Sequence, residues 1–201
     1  DIAFTLEGNS LSILKGERLA LNYMQRMSGI ATHTAYLNRL LEGLNTKVLD
    51  TRKTTPGFRV FEKMAVKIGG GVNHRFGLYD MVMIKDNHID YAGGIAKAIA
   101  STKSYLEKSK LNLKIEVEAR NLDEVQEILN ADRVDRIMLD NFSYADLKVA
   151  VERIGDYAET EASGGITEET LRNYAECGVD YISVGALTHQ IKSLDFSLKA
   201  I

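Results

Sequence analysis

Ile115-Glu116-Val117-Glu118, Ile137-Met138-Leu139-Asp140-Asn141, Glu159-Thr160-Glu161-Ala162-Ser163-Gly164-Gly165 and Ile182-Ser183-Val184-Gly185-Ala186 share one design. Each is a short segment that runs into a polar or glycine-bearing turn. Helical stretches at 122–131, 144–154 and 168–176 separate them. A strand, a helix and another strand in series demand parallel pairing with helical crossovers. Working towards the front, further apolar segments centre near Val48, Ile68 and Val82, with helical stretches at 57–66 and 92–108. About seven such units fit a closed or nearly closed α/β barrel better than an open doubly wound sheet, the alternative architecture. Thr55 before Pro56 predicts a helix cap followed by proline at the first helical position, and Gly178 predicts a helix stop.

The front of the chain reads differently. Phe4, Leu6, Leu11 and Ile13 suit small strands joined at Gly8-Asn9 within residues 1–15. From Glu17 to Leu44 apolar residues recur mostly at three- and four-residue spacings, which predicts a long helix, kinked or broken at Ser28-Gly29. Asp1-Ile2-Ala3-Phe4 has neither a start methionine nor a signal-peptide pattern, so the chain reads as beginning inside a domain.

Length and charge narrow the function. A chain of 201 residues can bury one main core with an appendage. A net charge of −3 argues against general nucleic-acid or membrane-surface binding. No apolar run approaches the roughly 20 residues that cross a bilayer. The single cysteine, Cys177, excludes an intrachain disulfide and suits a reducing cytoplasm. Against this acidic background, Lys47 to Lys85 carries 8 Lys/Arg against 3 Asp/Glu. Several of these cations stand beside glycines, hydroxyls or histidines, which suggests a pocket for a small, highly anionic ligand.

In an α/β barrel the active site lies at the C-terminal ends of the strands. Thr51-Arg52-Lys53, Lys85-Asp86-Asn87-His88, Glu118 and Asp140-Asn141 all fall there. Ser163-Gly164-Gly165 and Gly185-Ala186 precede helices, and glycines let a backbone approach an anion that free N–H groups then bind. Tight turns alone would also explain one such pair; two at adjacent strand ends favour phosphate. Glu118 and Asp140 suit ribose hydroxyls or a hydrated Mg²⁺ on a polyphosphate, and also the neutralisation of Lys53 and Lys85. Arg52, His74 and Arg75 offer planar donors that match carboxylates, more than one of them. Cys177 reads as packing, and His33 and His189 have no partner at metal-ligand spacing. No Gly-x-Ser-x-Gly element or full Walker loop supports a hydrolase or P-loop reading.

Several long motifs carry a resemblance. Asn22 to Ala31, Thr51 to Gly57, Gly69 to Arg75, Lys85 to His88, Glu116-Val117-Glu118, Leu139-Asp140-Asn141, Glu161 to Thr167 and Asp195 to Leu198 together resemble the quinolinate phosphoribosyltransferase family, also called nicotinate-nucleotide pyrophosphorylase (carboxylating). The resemblance runs in order along essentially the whole chain. It implies an open, roughly seven-stranded, TIM-like α/β barrel paired with an α/β sandwich domain. Residues 1–25 would be the remnant of that sandwich leading into the long helix, 26–188 the barrel, and 189–201 a segment returning to the sandwich. The implied reaction joins quinolinate to 5-phosphoribosyl-1-pyrophosphate (PRPP) with Mg²⁺, giving nicotinate mononucleotide, pyrophosphate and CO₂ for NAD synthesis. Arg52, His74 and Arg75 would hold the quinolinate carboxylates, and Arg26 would be lent across a homodimer or higher homo-oligomer. Lys53, Thr54 and Lys85 would line the substrate pocket, with Lys53, Lys85, Glu118 and Asp140 catalytic. Glu118 and Asp140 would face the ribose and, indirectly, the metal. Ser163, Gly164, Gly165, Gly185, Ala186 and Leu187 would cradle the 5′-phosphate. Two other readings remain: a phosphoribosyltransferase for a monocarboxylate, and a non-catalytic nucleotide-binding module.

Overall fold

The computed structural model describes residues 1–200. Six parallel strands, β1 (Lys47–Leu49), β2 (Met81–Ile84), β3 (Lys114–Ala119), β4 (Arg136–Asp140), β5 (Glu159–Ser163) and β6 (Tyr181–Ser183), form one sheet in the order β1-β6-β5-β4-β3-β2. Each strand from β2 to β5 therefore pairs with its successor in the chain, and β6 pairs with β1. The register sets Val117 beside Ile137, Leu139 beside Ala162, and Val48 beside Ile182. β1 and β2 are the two edges, and a single parallel bridge joins Leu49 to Val72 alongside β1.

Helices fill the crossovers, α2 (Arg59–Ile68), α3 (Asp86–Ala92), α4 (Ile95–Lys108), α5 (Leu122–Asn130), α6 (Tyr144–Ile154) and α7 (Leu171–Ala175), and α8 (Ala186–His189) follows β6. Asn121 and Ser143 cap α5 and α6 by accepting from backbone N–H groups of the first turn. Strand side chains alternate between two faces. One face, with Ile115, Val117, Ile137, Leu139 and Ala162, joins Ile99, Ile128, Leu147 and Ile154 from the helices in the core. Burying each large aliphatic side chain stabilises by about 1.5–3 kcal/mol. The opposite face carries Glu116, Glu118, Arg136, Asp140, Glu161 and Ser163. All six C-terminal strand ends open onto one cavity, so the sheet curls with this polar face inward.

Four expectations are corrected. The apolar segment around Ile68 is the last turn of α2, not a strand, so the sheet has six strands rather than seven. Its residues bury at helical spacing, with Glu62, Ala65 and Val66 inward. Residues 1–9 form no strands, having no neighbour to pair with. The long helix α1 runs unbroken from Ser10 to Leu40 through Ser28-Gly29. Gly29 is there for close approach: a Cβ would strike the backbone carbonyl of Lys192, where the C-terminal segment crosses the helix. Thr55 does not cap α2, whose N-cap position is Phe58 without a side-chain bond; Thr55 instead binds the Glu62 carboxylate through its N–H and hydroxyl. The front half of α1 exposes Leu11, Leu14 and Leu19.

Candidate active site

The strand ends enclose a cavity of about 1350 Å³. Thr51, Arg52 and Lys53 reach it from β1, Lys85 from β2, Glu118 from β3, Asp140 from β4, Ser163, Gly164 and Gly165 from β5, and Gly185 and Ala186 from β6. His74 and Arg75 arrive from the loop after Val72. Three predicted residues do not line it. Thr54 accepts from Arg59, Leu187 is fully buried beneath the turn, and Arg26 is held by Glu62, Thr55 and the Thr188 carbonyl.

A buried ion pair sets the cationic side. Asp50, at the end of β1, accepts from Lys63 Nζ, from Asn73 Nδ2 at 2.6 Å and from the His74 N–H at 2.8 Å. Lys63 also donates to the His74 carbonyl at 2.9 Å. Helix α2 and strand β1 thus fix the backbone from which Arg75 springs. Burial raises the Asp50 pKa and lowers that of Lys63, and the attraction between them opposes both shifts. Arg75 itself finds only weak partners, the Met81 carbonyl at 3.4 Å and the Met83 sulfur at 3.5 Å. Burial, then the Arg52 guanidinium beside it, lowers the Arg75 pKa. Among the described residues, neither Arg52, Lys53 nor Arg75 has an ion-pair partner, whereas Lys85 meets Glu118 at 2.6 Å. Unpaired cations gathered in one cavity are costly unless an anion joins them.

Opposite them, Gly164 lies at φ +101° and Gly165 at φ +59°. A Cβ on Gly164 would collide with Asn141, whereas one on Gly165 would meet open space. At Gly185 a Cβ would stand 2.9 Å from His189 Nε2 and 3.3 Å from Lys53 Cδ. No acceptor among the described residues takes the N–H groups of Gly164, Gly165, Gly185 or Ala186. Open N–H groups on a close-approaching backbone suit phosphate.

Beneath the cavity, His74 Nε2 lies 3.0 Å from Glu116 Oε2 and 3.3 Å from Glu161 Oε2. Arg136 binds Glu161 at 3.1 Å and Glu159 at 3.1 Å, and stacks on Tyr181. Burial and the Glu161 charge push Glu116 up to about 7. Burial opposes the ionisation of Glu161 too, but His74 and Arg136 hold it low. The sequence reading missed Glu116 and Glu161 as a pair, and Asp50 with Lys63. The first pair was findable: alternation in Glu116-Val117-Glu118 and Glu161-Ala162-Ser163 places both acids on the face of Glu118 and Ser163.

A parallel α/β sheet whose strand ends gather free cations on one side of a cavity and glycine turns on the other defines an α/β protein with an anion-binding cavity. The chain belongs to the quinolinate phosphoribosyl transferase family, whose C-terminal-domain model matches residues 30–199. It is 50% identical over 208 residues to a tobacco (Nicotiana tabacum) protein named quinolinate phosphoribosyltransferase [decarboxylating] 2b, mitochondrial, covering 96% of this chain. It is 44% identical to a probable nicotinate-nucleotide pyrophosphorylase [carboxylating] of Bacillus subtilis, across 98% of this chain and 67% of the relative. The nicotinate-nucleotide pyrophosphorylase structure from Francisella tularensis superposes with a TM-score of 0.88 at 48% identity, covering 94% of this chain and 65% of that one. The chain spans 59% of the length of the tobacco relative.

Proposed function

We propose that this chain carries the catalytic site of a phosphoribosyltransferase that joins quinolinate to PRPP, with loss of CO₂, to give nicotinate mononucleotide and pyrophosphate in NAD synthesis. One observation carries the reading: Arg52, Lys53 and Arg75 converge unpaired on a cavity whose far side is a glycine cradle. Two guanidinium groups suit a ligand with two carboxylates. The family and the names of the relatives point to the same substrates. The open barrel is part of the proposal, with Val72 as a rudimentary seventh strand in the seam between β1 and β2.

Arg52 and Arg75 would clamp the pyridine dicarboxylate while the glycine turns hold the 5′-phosphate, setting the ring nitrogen against C1′. The bond from C1′ to pyrophosphate breaks as the nitrogen–C1′ bond forms. Glu118 or Asp140 stabilises positive charge on the ribose, and Lys53 and Lys85 stabilise the departing pyrophosphate. The C2–carboxylate bond then breaks, and its electron pair takes up a proton at C2. Glu118 and Asp140, one carboxylate on each of two paired strands facing the cavity, fit a magnesium ion that keeps its waters and arrives with PRPP. That ion would neutralise polyphosphate charge. We further propose a homodimer or larger assembly; Arg26 would serve a neighbouring subunit there only by giving up its bonds to Glu62 and the Thr188 carbonyl. A reducing compartment such as the cytoplasm suits the lone Cys177; some relatives' names specify mitochondria or chloroplasts instead.

Calorimetric titration of quinolinate into the chain, beside Arg52→Ala, tests the reading. Binding in the roughly micromolar range that the variant loses supports it. Equal binding of nicotinate would redirect it to a monocarboxylate substrate, and turnover without CO₂ release would exclude the decarboxylation.

A further inference from the structure

Arg59, the first residue of α2, gains nothing from its own helix, because a cation at a helix start opposes the helix dipole. Nor does it line the cavity. Its guanidinium instead forks over three acceptors drawn from two separate segments. Nε donates to the Thr54 hydroxyl at 3.0 Å, Nη2 to the Arg52 carbonyl at 3.2 Å and Nη1 to the Phe76 carbonyl at 2.9 Å. All three acceptors are uncharged, so these bonds use the shape of the fork rather than an ion pair.

Those acceptors flank the two arginines that face the cavity. Arg52 offers its own carbonyl and is followed closely by Thr54, while Phe76 comes directly after Arg75. The Phe76 backbone is held twice, since Asp80 accepts its N–H at 2.6 Å. On the other flank, Lys63 binds Asp50 ahead of Arg52 and the His74 carbonyl ahead of Arg75. Lys63 stands four residues after Arg59, so the two side chains share one face of α2. A single helical turn thus grips both segments at two levels, Lys63 before the arginines and Arg59 at and after them. Reaching three acceptors at once takes a planar fork with separate donors; the single nitrogen of a lysine does not span them.

We propose that Arg59 is a positioning residue that sets the spacing between Arg52 and Arg75, and that this spacing selects ligands with carboxylates on adjacent ring atoms. The proposal rests on the quinolinate reading above, in which Arg52 and Arg75 clamp the dicarboxylate. A misplacement of about 1 Å can cost about 10²-fold, so a side chain outside the cavity can decide which dicarboxylate fits. Without the fork, the Phe76 carbonyl and the Arg52 carbonyl lose their common donor. The loop that carries Arg75 then moves independently of the end of β1, and a wider pair of carboxylates is accepted nearly as well as a narrow one.

Two measurements test this on the whole chain, and only the first rests on the quinolinate reading. Calorimetry compares quinolinate with pyridine-2,4-dicarboxylate, an isomer of equal charge whose carboxylates stand further apart. The unaltered chain should prefer quinolinate, and Arg59→Ala should shrink that preference about tenfold or more. Losing one cation, or loosening the whole fold, weakens both isomers alike and leaves their ratio intact; an intact ratio overturns the proposal. Arg59→Lys keeps the charge without the fork and should lose the preference as well, so full rescue by lysine also overturns it. Hydrogen exchange read by mass spectrometry should quicken in both 51–55 and 73–77 in either variant, while β3, β4 and β5 stay protected. Unchanged exchange in either segment overturns the proposal without any ligand. If the unaltered chain binds neither isomer, or prefers the 2,4-isomer, the substrate reading fails while exchange still decides whether Arg59 joins the two segments. Should Arg59→Ala not fold, Arg59→Lys carries both measurements.

Discussion

Lys63 and Asp50 form an ion pair with side chains 3% and 0% exposed, and through it helix α2 grips the end of strand β1. The same two residues hold the His74 N–H and carbonyl. Removing one partner strands a buried charge, so Lys63→Met should destabilise the chain by about 3–5 kcal/mol. Urea unfolding measures it; a loss under about 1 kcal/mol would show that Asp50 finds water instead.

Glu118 and Lys85 make the contrasting pair. Lys85 is 45% exposed, so the contact is solvated. Glu118→Gln should change stability by less than about 1 kcal/mol while weakening PRPP binding. A large stability loss with PRPP binding intact would assign Glu118 to the scaffold.

Arg75→Ala should weaken quinolinate binding by about 10² or more, as truncating one member of a desolvated charge pair does. Titration calorimetry reads it directly, and a wild-type Kd removes Arg75 from the pocket.

Gly164 and Gly165 should respond unequally to alanine. At Gly165 only the left-handed backbone resists, costing about 1–2 kcal/mol. Gly164→Ala adds a collision with Asn141, so its unfolding midpoint should drop further. Equal drops would mean that the β5 turn relaxes freely.

Stability should also depend on Glu116. Its folded pKa, about 7, lies above the ordinary 4.5, so the fold binds more protons than the unfolded chain between those values. Its contribution is full below pH ~4.5 and is lost as pH rises through ~7. The difference in urea midpoint between pH 5 and pH 7.5 should shrink in Glu116→Gln, and an unchanged difference argues against the shift.

Much of this was legible in the sequence. Repeated strand-then-helix units gave the parallel sheet, and the residues closing each strand gave most of the cavity lining, because strand ends and function coincide in such folds. Ile68 misled because a short apolar run fits a buried helix end as well as a strand. Gly29 misled because a glycine that breaks one helix admits a crossing backbone in another, and only Lys192, far along the chain, tells which. Asp50 with Lys63 was invisible for a similar reason: a local pattern shows charge but not which charge it meets. Residues 1–9 lacked any partner that would have made their alternation a strand.

The seam between β1 and β2 has a consequence of its own. Four adjacent strand pairings fix β2 through β6 in register, and a fifth adds β1, so a one-residue insertion inside any of them shifts a whole ladder. Between Gly69 and Asp80 the only ladder contact is the single bridge at Val72. That segment carries Arg75, and in place of a ladder it is held by side chains: Asp50 and Lys63 bind Asn73 and His74, and Asp80 binds the Phe76 and Gly77 N–H groups. The gap in the sheet thus transfers the placing of Arg75 from strand register to one buried ion pair, so a single side-chain change at Asp50 or Lys63 reaches the cavity while the six-strand ladder stays whole.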